Sequence, residues 1–319
     1  MSAVRGALSS DVRVSAANAL LTGLIDYAGL FPPAALPMAR AVAAYAAGRR
    51  SAERGMLARF VVPVARLDEF AGALAALSPE ERGPGPWEIS ALLGADAVAE
   101  ARAAVSFNRA HATMGVIRSL EARVDSAARI QAVRTAVPKA FELFCEVPPG
   151  DDPRWLLAAV RAAGARAKVR TGGVTPAEIP SPDAVLGFLE GCAAIRLPFK
   201  ATAGLHHALR AERALTYEAG CPRATMFGYL NVLLAATALW LRRPRAEARR
   251  LLVAEDAAAL VLGGDGLTWG ESAFTTAELE KARREFVLSV GSCSFTEPVE
   301  DIRALGAGGP RAGEREGET

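Results

Sequence analysis

Lysine is nearly missing from this sequence. Of its 37 basic residues only four are lysines, Lys139, Lys168, Lys200 and Lys281, and the rest are arginines. Where a guanidinium meets almost every need for positive charge, a retained lysine marks a place that needs an amine. Histidine is as scarce, with His111, His206 and His207 the three copies. The four cysteines, Cys145, Cys192, Cys221 and Cys293, form no CxxC pair, which excludes the common zinc sites and a disulfide framework. Reduced thiols and the lack of a signal-peptide pattern lead us to expect a cytoplasmic protein. The longest apolar run, 226–241, is shorter than the roughly 20 residues of a membrane span and contains Asn231, so no membrane partner is expected. A net charge of +2 with interspersed signs lacks the footprint of a nucleic-acid binder.

What is present is a globular composition, 51% hydrophobic and 23% charged, and a regular alternation of strand and helix patterns. Strands are expected at 24–31, 58–64, 87–93, 116–121, 140–147, 165–171, 195–202 and 286–293, with helical stretches between them. Eight such units predict an α/β fold of the (β/α)₈ TIM-barrel type, with one domain over 1–306 and a disordered tail over 307–319. The seventh crossover is too long for one helix. Helical runs near 208–217, 227–241, 246–262 and 276–284 predict a helical insertion over about 208–285.

Period-two alternation sorts the side chains of each strand. In the fifth, Leu143, Cys145 and Val147 face the helices, turning Glu142, Phe144 and Glu146 to the axis. The same logic turns Lys168 and Arg170 inward on the sixth strand, and Arg196, Lys200 and Thr202 on the seventh, with Glu121 joining them from the fourth. Burying so many charges costs several kcal/mol per ion unless they are paired. Arg196 and Glu142 are expected in a stabilising network at the barrel bottom. Glu146, Arg170 and Lys200 fall near the carboxyl ends of strands, where barrel enzymes keep their reacting groups. A lysine among cations in a dry pocket would have its pKa lowered, as a Schiff-base nucleophile requires.

Thr171-Gly172-Gly173, Ala203-Gly204 and Gly291-Ser292 supply backbone N–H groups at the ends of the last three strands, a place where barrels hold phosphate. Arg170 adds a fork for a phosphate or carboxylate. His206-His207 lies just beyond the seventh strand, and Asp26, Tyr27, Cys293 and Glu297 are further rim candidates.

Lys168 followed by Thr171-Gly172, and Lys200-Ala201 followed by Gly204, resemble the paired lysine strands of deoxyribose-phosphate aldolase and related Schiff-base barrels. The resemblance is confined to these short motifs. It departs from the pattern at Val169-Arg170, where small hydroxyl residues would follow the lysine, and at the histidine pair.

These readings predict a lyase of aldolase-like chemistry acting on a small anionic metabolite. Lys200 or Lys168 would form the imine, Glu146 or His206 would move protons, and Arg170, Thr171, Gly172, Thr202, Gly204, His207, Glu121 and Ser292 would bind the substrate. No cofactor is required by that scheme. One alternative places a divalent metal among Glu121, Glu146 and His206 or His207, and another is a barrel that binds small molecules without chemistry. A homo-oligomer is compatible with all three.

Overall fold

A computed structural model of the chain describes residues 15–150 and 152–307. Eight strands close into an all-parallel barrel: β1 Ile25–Tyr27, β2 Leu57–Pro63, β3 Trp87–Leu92, β4 Gly115–Arg123, β5 Glu142–Val147, β6 Arg166–Arg170, β7 Phe199–Thr202 and, last in the chain, Val287–Ser292. Following the closed sheet from β1, the next strand is Val287–Ser292, then β7, and the order descends to β2, which pairs β1 again. The fold is the expected (β/α)₈ barrel. The tail expected over 307–319 lies, apart from Ala307, outside the described residues, as do residues 1–14.

The outer face of the strands is apolar and packs on helices, as the alternation required. Leu143, Cys145 and Val147 of β5 are buried there, as are Ala167 and Val169 of β6 and Phe199 and Ala201 of β7. Between β1–β3 and the helix Met38–Arg50 the core is aromatic: Tyr45, Phe60, Phe70 and Trp87 are all buried, with ring centroids 4.6–6.1 Å apart. The Trp87 indole N–H donates to the Arg82 carbonyl at 3.0 Å, so its one polar group is satisfied.

The insertion is less helical than expected. Residues 208–217 do not form a helix: β8 Ala211–Ala214 pairs with β9 Arg223–Met226 as an antiparallel hairpin. The helix expected over 246–262 is Arg245–Val253, after which the chain enters a three-stranded antiparallel sheet of β10 Leu260–Leu262, β11 Gly266–Trp269 and β12 Ser272–Thr275. Alanine-rich sequence reads as helix by propensity, and strand pairing overrode it in both places. The helix Tyr229–Trp240 is buried along nearly its whole length. Its Asn231 is satisfied by the carbonyls of Leu251 and Ala254 at 2.7 and 2.8 Å, and it accepts from the Arg210 N–H at 2.8 Å. Among the described residues no helix is long and apolar enough to cross a membrane. The final barrel strand, β13 Val287–Ser292, leads into the helix Thr296–Ala307.

Candidate active site at the carboxyl ends of the strands

The inner face of the barrel is charged where an apolar core would be ordinary. Lys168 and Lys200 are direct register partners on β6 and β7, and Glu146 is the partner of Lys168 on β5. Lys200 Nζ lies 3.0 Å from Asp26 Oδ2 and also pairs with Glu121 Oε1. Lys168 Nζ is 2.7 Å from Glu121 Oε2 and 2.7 Å from Glu146 Oε2. Asp26, Lys200, Glu121, Lys168 and Glu146 thus form a chain of alternating charge across five strands. Glu121, only 3% exposed, is shared by both amines.

Small hydroxyls and one ring complete the chain. Ser119 and Ser90 are hydrogen-bonded at 2.6 Å, and Ser90 donates to Glu121 while accepting from Lys200 at 3.3 Å. The Ser289 hydroxyl and the Arg59 backbone N–H donate to the two oxygens of Asp26 at 2.8 and 3.2 Å. Lys200 Nζ sits 4.5 Å from the centroid of the Phe144 ring, a cation–π contact in a desolvated place.

Burial alone would raise the Glu121 carboxyl, but Lys168 and Lys200 outweigh it and hold the group well below the usual carboxylate range. For Lys168 burial acts downward, and Glu121 and Glu146 reverse it, so its pKa is raised. The expectation that neighbouring cations lower a lysine pKa here is therefore corrected for Lys168. The two lysines are separated by a shared carboxylate rather than pressed together.

A second group, His206 beyond β7 and Cys293 beyond the final barrel strand, faces the same cavity. His206 Nδ1 is 3.1 Å from Ser292 Oγ and 3.5 Å from Cys293 Sγ. Burial, with a smaller contribution from His207, lowers the His206 pKa to about 4, and burial pushes the Cys293 thiol up to about 11. Both are neutral near pH 7. Tyr217, from the β8–β9 hairpin, donates to the Glu297 carboxylate at 3.2 Å and lies 3.7 Å from Cys293 Sγ.

The cavity between these groups measures about 510 Å³, room for a small metabolite. Lys168, Lys200, Glu121, Glu146, Asp26, Arg170, Thr202, Gly204, His206 and Cys293 are in its wall. Other predicted residues are elsewhere. His207 turns away from it and pairs with Asp301 at 3.1 Å. Ser292 reaches the cavity only through His206. The Thr171 hydroxyl donates to the Ala203 carbonyl at 2.8 Å, tying the β6 loop to the β7 loop. Gly172 and Gly204 are where those loops touch: a Cβ on Gly172 would come 3.1 Å from the Gly204 Cα, and Gly204 has φ +75°. Glycine is required there for contact between the loops.

Arg196 is the other correction. It precedes β7 with φ +53°, and its guanidinium stacks on Trp240 at 4.8 Å outside the barrel. Glu142 is at the barrel bottom as expected, paired with Arg59 at 2.7 Å and with Arg166. Alternation alone would have turned Ser90 inward, since it shares a face with Glu88 and Leu92. Arg123 and Arg129, which line the cavity mouth, carry no comparable signal.

The metal alternative needs three ligands converging. Glu121 and Glu146 both bind Lys168, whereas His206 is against Ser292 and Cys293. Among the described residues no three histidine, cysteine or acidic side chains are placed to hold a metal ion. Comparison with known protein families and with curated proteins returns no match for this chain.

Proposed function

We propose that the protein is a lyase that forms an imine between Lys200 and a small anionic oxo compound. The observation that supports this is the alternating chain at the cavity floor, which sets an amine between carboxylates able to take and return its protons. Lys200 passes one proton to Asp26 and attacks the carbonyl carbon, forming the C–N bond. A second nitrogen proton follows, and both leave on the carbonyl oxygen as water. The third hydrogen stays on the iminium nitrogen, so the step needs no outside proton. The iminium replaces the ammonium beside Glu121, and the charge of the chain is preserved.

Cleavage of the carbon–carbon bond adjacent to the α-carbon then sends its electron pair into the iminium, giving an enamine. Glu146, at the end of β5 nearest the mouth, takes the proton of the hydroxyl that becomes the new carbonyl. The Lys168 ammonium, held protonated by its two carboxylates, steadies the developing charge. Glu146 then returns that proton to the enamine carbon, and addition of one water to the resulting iminium releases the oxo product and restores the Lys200 ammonium.

Borohydride reduction in the presence of pyruvate and other small oxo acids, followed by peptide mapping, tests the reading. The expected product carries its mass on Lys200. Lys139 and Lys281, both exposed, serve as the control for non-specific labelling.

The raised pKa of Lys168 favours a second reading. Both lysines would act as fixed ammonium groups that stabilise an enolate, with Glu146 as the base, in a proton transfer beside a carbonyl. Turnover of such a substrate with no trapped adduct would select it, and saturable binding without any turnover would select a non-catalytic barrel.

A further inference from the structure

At the glycine-rich ends of β6, β7 and the last barrel strand, Gly173, Ala203, Gly204 and Gly291 line the main cavity without a cationic side chain. The first two loops are closed on each other at Gly172 and Gly204. Farther along the β6 loop, the N–H groups of Val174 and Thr175 are already taken by the chain's own Glu178 carboxylate, at 2.8 and 3.0 Å. On the last strand, the Ser292 hydroxyl is engaged by His206. A strong anion site needs charged donors as well as backbone N–H groups.

The opposite side of the mouth supplies such donors. Arg123 at the end of β4, Arg129 on the helix Ala127–Ala136 and Arg170 at the end of β6 line both the main cavity and a second one of about 520 Å³ that shares this wall. Among the described residues, neither Arg129 nor Arg170 has a carboxylate within ion-pair distance. Arg129 touches the carbonyls of Gly94 and Ala95 at 3.1 and 3.5 Å, and Arg170 touches that of Gly172 at 3.5 Å. Arg123 has one acidic partner, Glu146, at 3.4 Å, and its side chain is 83% exposed.

Three acids share the second cavity, and two are already engaged. Glu146 is bound to Lys168, and the Glu178 carboxyl is held low first by the backbone N–H groups and in lesser part by Arg170. Asp125 is exposed. Three forked guanidiniums on one small volume exceed what a single carboxylate uses and match the oxygens of a dianionic phosphoryl group.

We propose that the second cavity is the phosphoryl subsite of an extended substrate, a phosphate monoester with its oxo group at Lys200 and its phosphate on Arg123, Arg129 and Arg170. The position of the reacting end rests on the imine reading, and the anion site does not. Calorimetry and thermal melts of the full chain with inorganic phosphate, against malonate and against sodium chloride at matched ionic strength, test it. Phosphate is expected to bind saturably and more tightly than malonate, and Arg123→Ala and Arg129→Ala each to weaken it about tenfold. Arg129 also braces the Gly94 and Ala95 carbonyls, so the exposed Arg123 gives the variant whose fold is least at risk. No saturable effect beyond salt, an unchanged affinity in Arg123→Ala, or malonate equal to phosphate would overturn the proposal. Phosphate binding with no imine trapped would leave the subsite standing and remove the imine reading.

Discussion

The barrel interior holds two charged networks on the same strands, and they are built from different cations. At the bottom Glu142 of β5 pairs with Arg59 and Arg166, and Glu88 lies between Arg59 and Arg118. Two repeats of the pleat higher on β5, Glu146 pairs with Lys168 of β6. Arg166 and Lys168 are two residues apart on one strand face, yet the arginine side chain is 35% exposed and the lysine 7%. Where charge has only to be balanced against water the chain uses arginine. Where a dry cavity needs an amine it uses lysine, twice among its four copies. Similar pairing therefore carries different consequences: the lower network braces the sheet, and the upper one presents nitrogen to a ligand.

Removing one member from each network measures that difference. Glu121→Gln leaves two buried ammonium groups short of their shared carboxylate and is expected to cost ~3–5 kcal/mol in denaturant unfolding. A cost near that of a surface pair would break the comparison. His206 extends the dry region to the other wall. Its folded pKa of about 4 lies below the ordinary 6.5, so the unfolded chain binds the extra proton first as pH falls. Stability should drop by about 3 kcal/mol between pH 6.5 and pH 4, and His206→Gln should flatten that slope.

Cys293 sharpens the picture on the same wall. With its thiol pushed up to about 11, little thiolate exists near pH 8, and alkylation by iodoacetamide should be roughly a hundredfold slower than for an ordinary thiol. Its rate should keep rising with pH until near 11. The smallest effect belongs to the barrel bottom. Glu142→Gln, removing a partner that is a third exposed, should cost about 1 kcal/mol.

Much of the barrel was legible because its strands obey one simple rule. Alternation placed Glu146, Lys168, Arg170, Lys200 and Thr202 on the inner face, all in the cavity wall. The rarity of lysine pointed to the same two amines. Arg196 escaped the rule because its residue has left the strand: φ +53° turns the chain before β7 begins. The hairpin at β8–β9 was hidden by helix-forming alanines, whose local preference lost to strand pairing. Asp26 was visible only as a rim residue, since its partners Lys200 and Ser289 come from strands far along the chain. Arg123 and Arg129 were illegible among so many other arginines, because only the folded loops bring them onto one wall with Arg170.

The most direct measurement compares borohydride trapping, with pyruvate and other small oxo acids, in the native chain, Lys168→Met and Lys200→Met, each first shown to be folded by circular dichroism. The adduct is expected on Lys200 in the native protein, still on Lys200 in Lys168→Met, and nowhere in Lys200→Met. Labelling that survives both substitutions, or that maps to Lys139 or Lys281 on the surface, would contradict the assignment of the buried Lys200 amine as the reacting group.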